Sequence, residues 1–280
     1  MYKSILFGVL ASCTVLLGAC DTTDNNGETQ KKIVGVVDET NLNEIMLTVA
    51  DPNQAVNYFR DALAQDPTRN DLKRNLAHSL VRAKRAQEAV EIYKQLDRGS
   101  ELDSQSRVDY AEALVRSNKW ADAKMQLNRV PPTFETFQRY RLEALVADSE
   151  KKWKKADSFY QTAVGLTTKP ANVLNNWGFS KLTRKDYKGA EALFLRAITS
   201  DNKIFTAKNN LIISRASRKI YTMPVIPMTQ TERAELTYTA ALAAIKHGDK
   251  QTGRNLLEKA IELHPRHFEA AIRSLKGLST

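Results

Sequence analysis

Residues 171–204 read ANVLNNWGFSKLTRKDYKGAEALFLRAITSDNKI, two apolar-periodic stretches hinged at Arg184-Lys185-Asp186. In the first, Leu174, Trp177, Gly178 and Lys181 recur at three- and four-residue steps, the spacing of one helix face. In the second, Ala190, Phe194 and Ala197 do the same. Small side chains at Gly178, Ala190 and Ala197 let neighbouring helices approach closely, and Trp177, Tyr187 and Phe194 fill the space left between turns. The stretch predicts a helical hairpin.

The hairpin is one of a series. Ala55, Ala89, Ala123, Ala156 and Ala190 are spaced 34, 34, 33 and 34 residues apart, and each is followed four places later by Phe59, Tyr93, Leu127, Tyr160 or Phe194. Ala77, Ala111, Ala144 and Gly178 put a second small residue twelve places ahead of the last four alanines. A 34-residue period with two small-residue positions, each in an amphipathic stretch, predicts stacked hairpins and not one globular core. Function is then to be sought on a surface.

A small residue in the first helix, followed by an aromatic, Ala, an aromatic and Ala across the second, resembles the tetratricopeptide repeat. The resemblance implies an all-α fold, a right-handed superhelical solenoid of tetratricopeptide helix hairpins. Its units fall near 52–69, 70–103, 104–136, 137–170 and 171–204, and a single helix follows at 205–220. Pro224 and Pro227 hold an extended segment at 221–230, a last unit spans 234–267, and a capping helix closes the array at 268–278. The extended segment is apolar, and either packs on the outer edge of the solenoid or lies in its groove as an internal pseudo-ligand. The whole body is expected at 41–280.

In stacked hairpins of this kind the first helix of each unit lines the inner curve. Residues opposite its packed side, at the second, fifth, sixth, ninth, twelfth and thirteenth places, share a stripe roughly 120° wide. That stripe gives a candidate peptide-binding groove of Arg74, Asn75, His78, Arg82, Glu112, Arg116, Arg141, Asn175, Asn176, Phe179, Leu182, Asn209, Asn210 and Ile213. The curve is expected to be basic toward the amino end and amide-rich and apolar toward the carboxyl end. Asn75, Asn176 and Asn210 share the sixth place, where asparagines in some tetratricopeptide proteins grip an extended backbone; a carboxamide matches a peptide group as both donor and acceptor. Asp109 and Leu142 interrupt that ladder. Phe179 and Ile213 form an apolar spot on a polar curve, which points to a partner.

The amino terminus sets the compartment. Met1-Tyr2-Lys3 followed by the apolar run Ile5 to Ala19 has the plan of a secretory signal, and fifteen residues fall short of the roughly 20 a spanning helix needs. An ordinary signal or a membrane anchor is the alternative. Leu17-Gly18-Ala19-Cys20 resembles a bacterial lipobox, which implies a signal peptide at 1–19, cleavage before Cys20 and acylation of that cysteine, so that the bilayer is a partner. The tether at 20–40 contains Asp21 to Lys32, with no apolar residue to bury.

Cys13 lies in the part that would be removed and Cys20 would be acylated, so no thiol is left for a disulfide or a metal site. The net charge is +10, spread over many helices. Anionic headgroups, peptidoglycan, an acidic partner segment or plain solvation all fit it, whereas a secreted address argues against nucleic acid. His264 and His267 are separated by Pro265, which breaks the helical geometry a shared metal would need. Phosphate loops, serine elbows and paired carboxylates are lacking. The expectation is no catalytic residue, no metal and no cofactor.

The chain's end adds a second resemblance. Tyr221 to Thr229, Glu232-Arg233-Ala234, Gly248-Asp249 and His264 to Ala270 are similar to the lipoproteins of tight-adherence (Flp) pilus assembly, the TadD family. This implies a non-catalytic scaffold, pilotin-like toward a secretin subunit or bound to another pilus assembly component. It would reside in the cell envelope of a Gram-negative bacterium, facing the periplasm, with the outer membrane favoured on family grounds. The other reading is an outer-membrane adaptor that recruits peptidoglycan-modifying enzymes.

Overall fold

The computed structural model describes residues 41–278, which form helices, turns and extended connections with no strand among them. The chain divides into two compact units, one ending at Asp51 and the other starting at Pro52. Of the first, the described part is helix α1 (41–48) and its closing turn, where the Val49 and Ala50 amides donate to the Ile45 carbonyl at 2.9 and 3.0 Å. The sequence signals in 1–19, at Cys20 and in 21–40 lie outside the described residues.

The second unit begins with α2 (Pro52–Gln65) and continues as hairpins. These are α3 (Asn70–Arg82) with α4 (Ala86–Arg98), α5 (Ser104–Arg116) with α6 (Trp120–Asn128), α7 (Phe137–Ser149) with α8 (Trp153–Gly165), and α9 (Ala171–Thr183) with α10 (Tyr187–Ser200). Then come α11 (Phe205–Ala216), the pair α12 (Gln230–Lys246) and α13 (Lys250–Leu263), and α14 (Glu269–Gly277). Each helix packs on its neighbours in sequence, while α3 also touches α5, α5 touches α7 and α9 touches α11. First helices therefore share one layer and second helices another, the solenoid that the 34-residue period predicts.

The lattice of small residues is the seam between layers. Ala77, Ala89, Ala111, Ala123, Ala144, Ala156, Ala190 and Ala197 are all fully buried, because a methyl is all that fits where helix axes approach to about 8–10 Å. At Gly178 even a methyl is too much: a β-carbon there would lie 2.6 Å from Cε1 of the buried Phe194. The large side chains fill the intervals, with Tyr93 stacked on Tyr110 at 5.5 Å and Tyr160 on Trp177 at 6.1 Å between ring centroids.

Polar groups tie successive hairpins at their ends. Asp103, Thr136, Asp186, Thr229 and Asp249 cap helix amino termini with side-chain oxygens, each satisfying a backbone N–H that the helix leaves free. Asp148, on α7, accepts from the Ser180 hydroxyl at 2.7 Å and the Tyr160 hydroxyl at 2.9 Å, joining three helices. Burial pushes its carboxyl up, above the ordinary aspartate value, and the two hydroxyl bonds only partly offset this.

α11 lacks the second helix of a hairpin. Its place is taken by a strap, residues 217–229, whose Ile226 packs on the core cluster of Leu174, Phe194 and Leu211. Met223 and Met228 pack against Ile212, Leu236 and Ala240 of α11 and α12. The strap is thus seated on the packed side of α11. Its start is held by Glu191 of α10, which pairs with Arg215 and Arg218 at 2.7 Å each. Without an intervening helix, α12 runs beside α11 in the same direction. Lys208 meets Glu232 at 2.8 Å near the two amino ends, and Asn209 accepts from Thr239 at 2.9 Å a turn or so further on.

Candidate protein-binding face

The layer of first helices carries a continuous polar seam. His78 of α3 lies 3.7 Å from Asp109 of α5, and Asp109 accepts from Gln105 and from Gln138 of α7, both at 2.9 Å. Gln138 also donates to Glu112 at 3.0 Å, where Arg141 and Arg116 converge at 2.9 and 2.7 Å. Burial raises the Glu112 pKa, but the charge of Arg141 and the bond from Arg116 outweigh it and hold the carboxyl below the usual glutamate value. The expected basicity of the amino end is therefore partly neutralised from within.

Two recesses open on this layer. One, of about 250 Å³, is lined by His78, Arg82, Glu112 and Arg116. The other, of about 640 Å³, is lined by Arg116, Arg141, Lys169, Asn172 and Asn176, with Phe137 and Val173 as its apolar wall. Asn176 is half-buried and its side chain makes no hydrogen bond to another protein group among the described residues. Its amide and carbonyl both remain available for a peptide group.

The other asparagines are differently placed. Asn210 donates to Asn175 at 3.1 Å across α11 and α9, so this pair spends one hydrogen bond on holding helices together. Asn209 is occupied by Thr239. Arg74 donates to the Glu101 carbonyl at 3.3 Å and braces the connection before α5. Asn75 and Ile213 are half-buried. Leu182 is drawn into the α9–α11 core cluster, while Phe179, one turn on from Asn175 and Asn176, is 52% exposed.

Sequence reasoning passed over Asp109 as a break in the asparagine ladder and did not select Gln138, yet these two are the hub of the seam. Gln138 stands at the second place of α7, inside the same 120° stripe, and that register was the available signal. No group of three or more metal-ligating side chains occurs among the described residues.

Fold and surface together define a helical-hairpin repeat protein with a polar inner layer, the architecture of tetratricopeptide scaffolds. Residues 47–99 match the sequence profile described as Tetratricopeptide repeat. No curated protein sequence matches the chain. Solved structures of the same fold include a tetratricopeptide repeat protein from Parabacteroides merdae (15% identity, TM-score 0.52, 90% of this chain and 98% of that one). The carboxyl-terminal part of a repeat-containing protein from Cytophaga hutchinsonii is similar to the same degree (14%, TM-score 0.52, 84% and 98%). The APC/C hetero-tetramer Cut9–Hcn1 is similar as well (13%, TM-score 0.59), over 82% of this chain; the chain spans 46% of the length of that one. At these identities the likeness is one of fold.

Proposed function

We propose that this chain is a non-catalytic, membrane-anchored scaffold for tight-adherence (Flp) pilus assembly, a TadD-like lipoprotein whose inner layer holds an extended segment of a secretin subunit or another assembly component. The observation that supports it most directly is the free carboxamide of Asn176 beside the exposed Phe179 ring. A backbone-matching group next to an apolar contact suits an extended peptide, with the amide reading the main chain and the ring one side chain. Acylated Cys20 confines the scaffold to the bilayer of a Gram-negative envelope, with the outer membrane favoured. Weak groove contacts then suffice at the raised effective concentration.

Two variants test the parts separately. Cys20→Ala is expected to abolish piliation and to move the protein from the membrane to the soluble fraction when membranes are washed at high salt, which screens surface charge but leaves an acyl anchor in place; an unaltered distribution under that wash removes the anchor from the reading. Phe179→Glu leaves the protein anchored and folded, because the ring is exposed, and is expected to weaken partner capture about tenfold or more, as loss of an aromatic hot spot does. Crosslinking in cells, with the captured partner identified by mass spectrometry, gives the readout. Full capture by an anchored Phe179→Glu protein removes the inner layer from the mechanism, and recovery of a cell-wall hydrolase in place of a pilus component establishes the adaptor reading.

A further inference from the structure

The turns inside the hairpins share one edge of the helix array, since the first helices run in the same direction. Two contacts bear this out: the Arg184 guanidinium lies 5.7 Å over the Trp153 ring of the preceding turn, and the Tyr221 hydroxyl lies 3.0 Å from Nδ1 of His247. The six three-residue turns, 83–85, 117–119, 150–152, 184–186, 217–219 and 247–249, carry nine Lys or Arg against three carboxylates. The connections between hairpins, on the opposite edge, carry five of each. A scattered charge in the sequence becomes a one-sided charge in the fold.

Backbone geometry sharpens the point. Each of these turns has one residue with positive φ, and at four of them it is a lysine: Lys84 (62°), Lys151 (58°), Lys185 (67°) and Lys219 (61°). Glycine and asparagine adopt this left-handed conformation more readily than lysine, and Asn118 and Gly248 fill the other two turns. The folded state therefore does not call for lysine there. Helix dipoles do not call for it at Lys84, Lys151 or Lys185 either, because those turns join a helix carboxyl end to a helix amino end and the two preferences oppose; only Lys219, where α11 runs into the strap, lies at an unopposed carboxyl end. Lys84, Lys151, Lys185 and Lys219 are exposed, and none of them forms an ion pair within 4 Å among the described residues, though the charge of Lys219 is felt by Asp249 of the next turn.

We propose that this edge is a docking surface for a bilayer bearing anionic headgroups. Aromatic residues decide between a membrane and a soluble polyanion. Trp120, Trp153 and Tyr187 are the first residues after their turns, and Tyr221 follows Lys219 by two. All four are half-buried; the Trp120 indole donates to Asn118 of its own turn at 2.6 Å and the Trp153 ring lies under Arg184, which keeps amphipathic rings at the basic turns, a pairing found at membrane–water interfaces. The proposal does not depend on acylation of Cys20. It gives the folded body its own affinity for the surface, which lays the array edge-on and leaves the inner layer accessible.

The test uses the full chain with Cys20→Ala, so that no acyl chain contributes, compared with the same chain carrying Lys84→Asn, Lys151→Asn, Lys185→Asn and Lys219→Asn. Asparagine suits positive φ, so the fourfold variant is expected to melt at or above the parent temperature. Binding is measured by co-sedimentation with phosphatidylglycerol/phosphatidylcholine vesicles and with phosphatidylcholine alone, at low and high salt. A basic side chain near an anionic surface is worth about a fivefold change in partitioning, and the four together are expected to lower binding to the anionic vesicles by about 50-fold or more, with binding to neutral vesicles unchanged. High salt is expected to weaken the parent to the level of the variant. Equal binding of parent and variant to anionic vesicles overturns the proposal. So does a parent that binds a single-stranded oligonucleotide as tightly as the vesicles, which assigns the edge to polyanions in general.

Discussion

Phe194→Ala is expected to lower the unfolding free energy by about 3–5 kcal/mol, the range for deleting a fully buried aromatic side chain. The ring is completely inaccessible and is the joint at which three helices and the strap meet: Gly178 of α9 lies flat against it, and Leu174, Leu211 and Ile226 belong to or pack against its cluster. Alanine would leave a void that α9 and α10 could close only by moving together, and the fully buried Ala190 and Ala197 already set that distance. Urea unfolding followed by far-ultraviolet circular dichroism gives the measurement. A loss under about 1 kcal/mol would show that the array relaxes around the gap, contrary to the tight packing described.

Lys208→Ala is expected to cost roughly 2–4 kcal/mol at neutral pH, somewhat below the range for a wholly buried pair because Glu232 keeps partial access to water. The Lys208 side chain is 2% exposed and that of Glu232 19%. Removing the ammonium leaves the carboxylate facing α11 without its cation, although the Thr229 amide still donates to it at 2.8 Å. Burial raises the Glu232 pKa, but Lys208 and the Thr229 amide outweigh this and hold it below the usual glutamate value. A depressed carboxyl stabilises the fold above its unfolded value of 4.5 and loses that contribution as pH falls through the folded value. Parent and variant are therefore expected to converge in acid. A difference that persists undiminished below that range would mean that lost packing, not lost charge, is responsible.

What the sequence made legible follows from what repeats. Ala89, Ala123, Ala156 and Ala190 recur because helix crossings tolerate nothing larger, so hairpins and their order could be read from spacing alone. Lys208 could not be read as buried, since a cation after the start of an amphipathic helix looks like a solvated one, and its carboxylate lies 24 residues away across an irregular segment. Asp148 was hidden for the same reason: its two hydroxyl partners come from two other helices. The strap's extended form was legible in Pro224 and Pro227, but its seat depends on α11 lacking a second helix. On the inner layer the helical register placed Asn176 and Phe179 on one stripe. Glu112 and Arg116, four apart on one helix, were legible as a pair, but spacing could not tell that Arg141 also reaches Glu112, or that Asn175 and Asn210 pair with each other, because those pairings depend on the distance between units.

The missing second helix after α11 gives the array a fault line. Elsewhere every hairpin leans on two layers of helix, and loss of one unit must drag its neighbours with it. Across residues 217–229 the only covalent link is the strap, and α12 is held on α11 by apolar packing, the shielded Lys208–Glu232 pair and the Thr239–Asn209 hydrogen bond. In a quasi-one-dimensional stack, cooperativity is only as long as its weakest neighbour interface. The block α12–α14 is therefore expected to exchange its amide hydrogens as one unit, separately from α9 and α10, so that a partner gripping it would be released without unfolding the remainder.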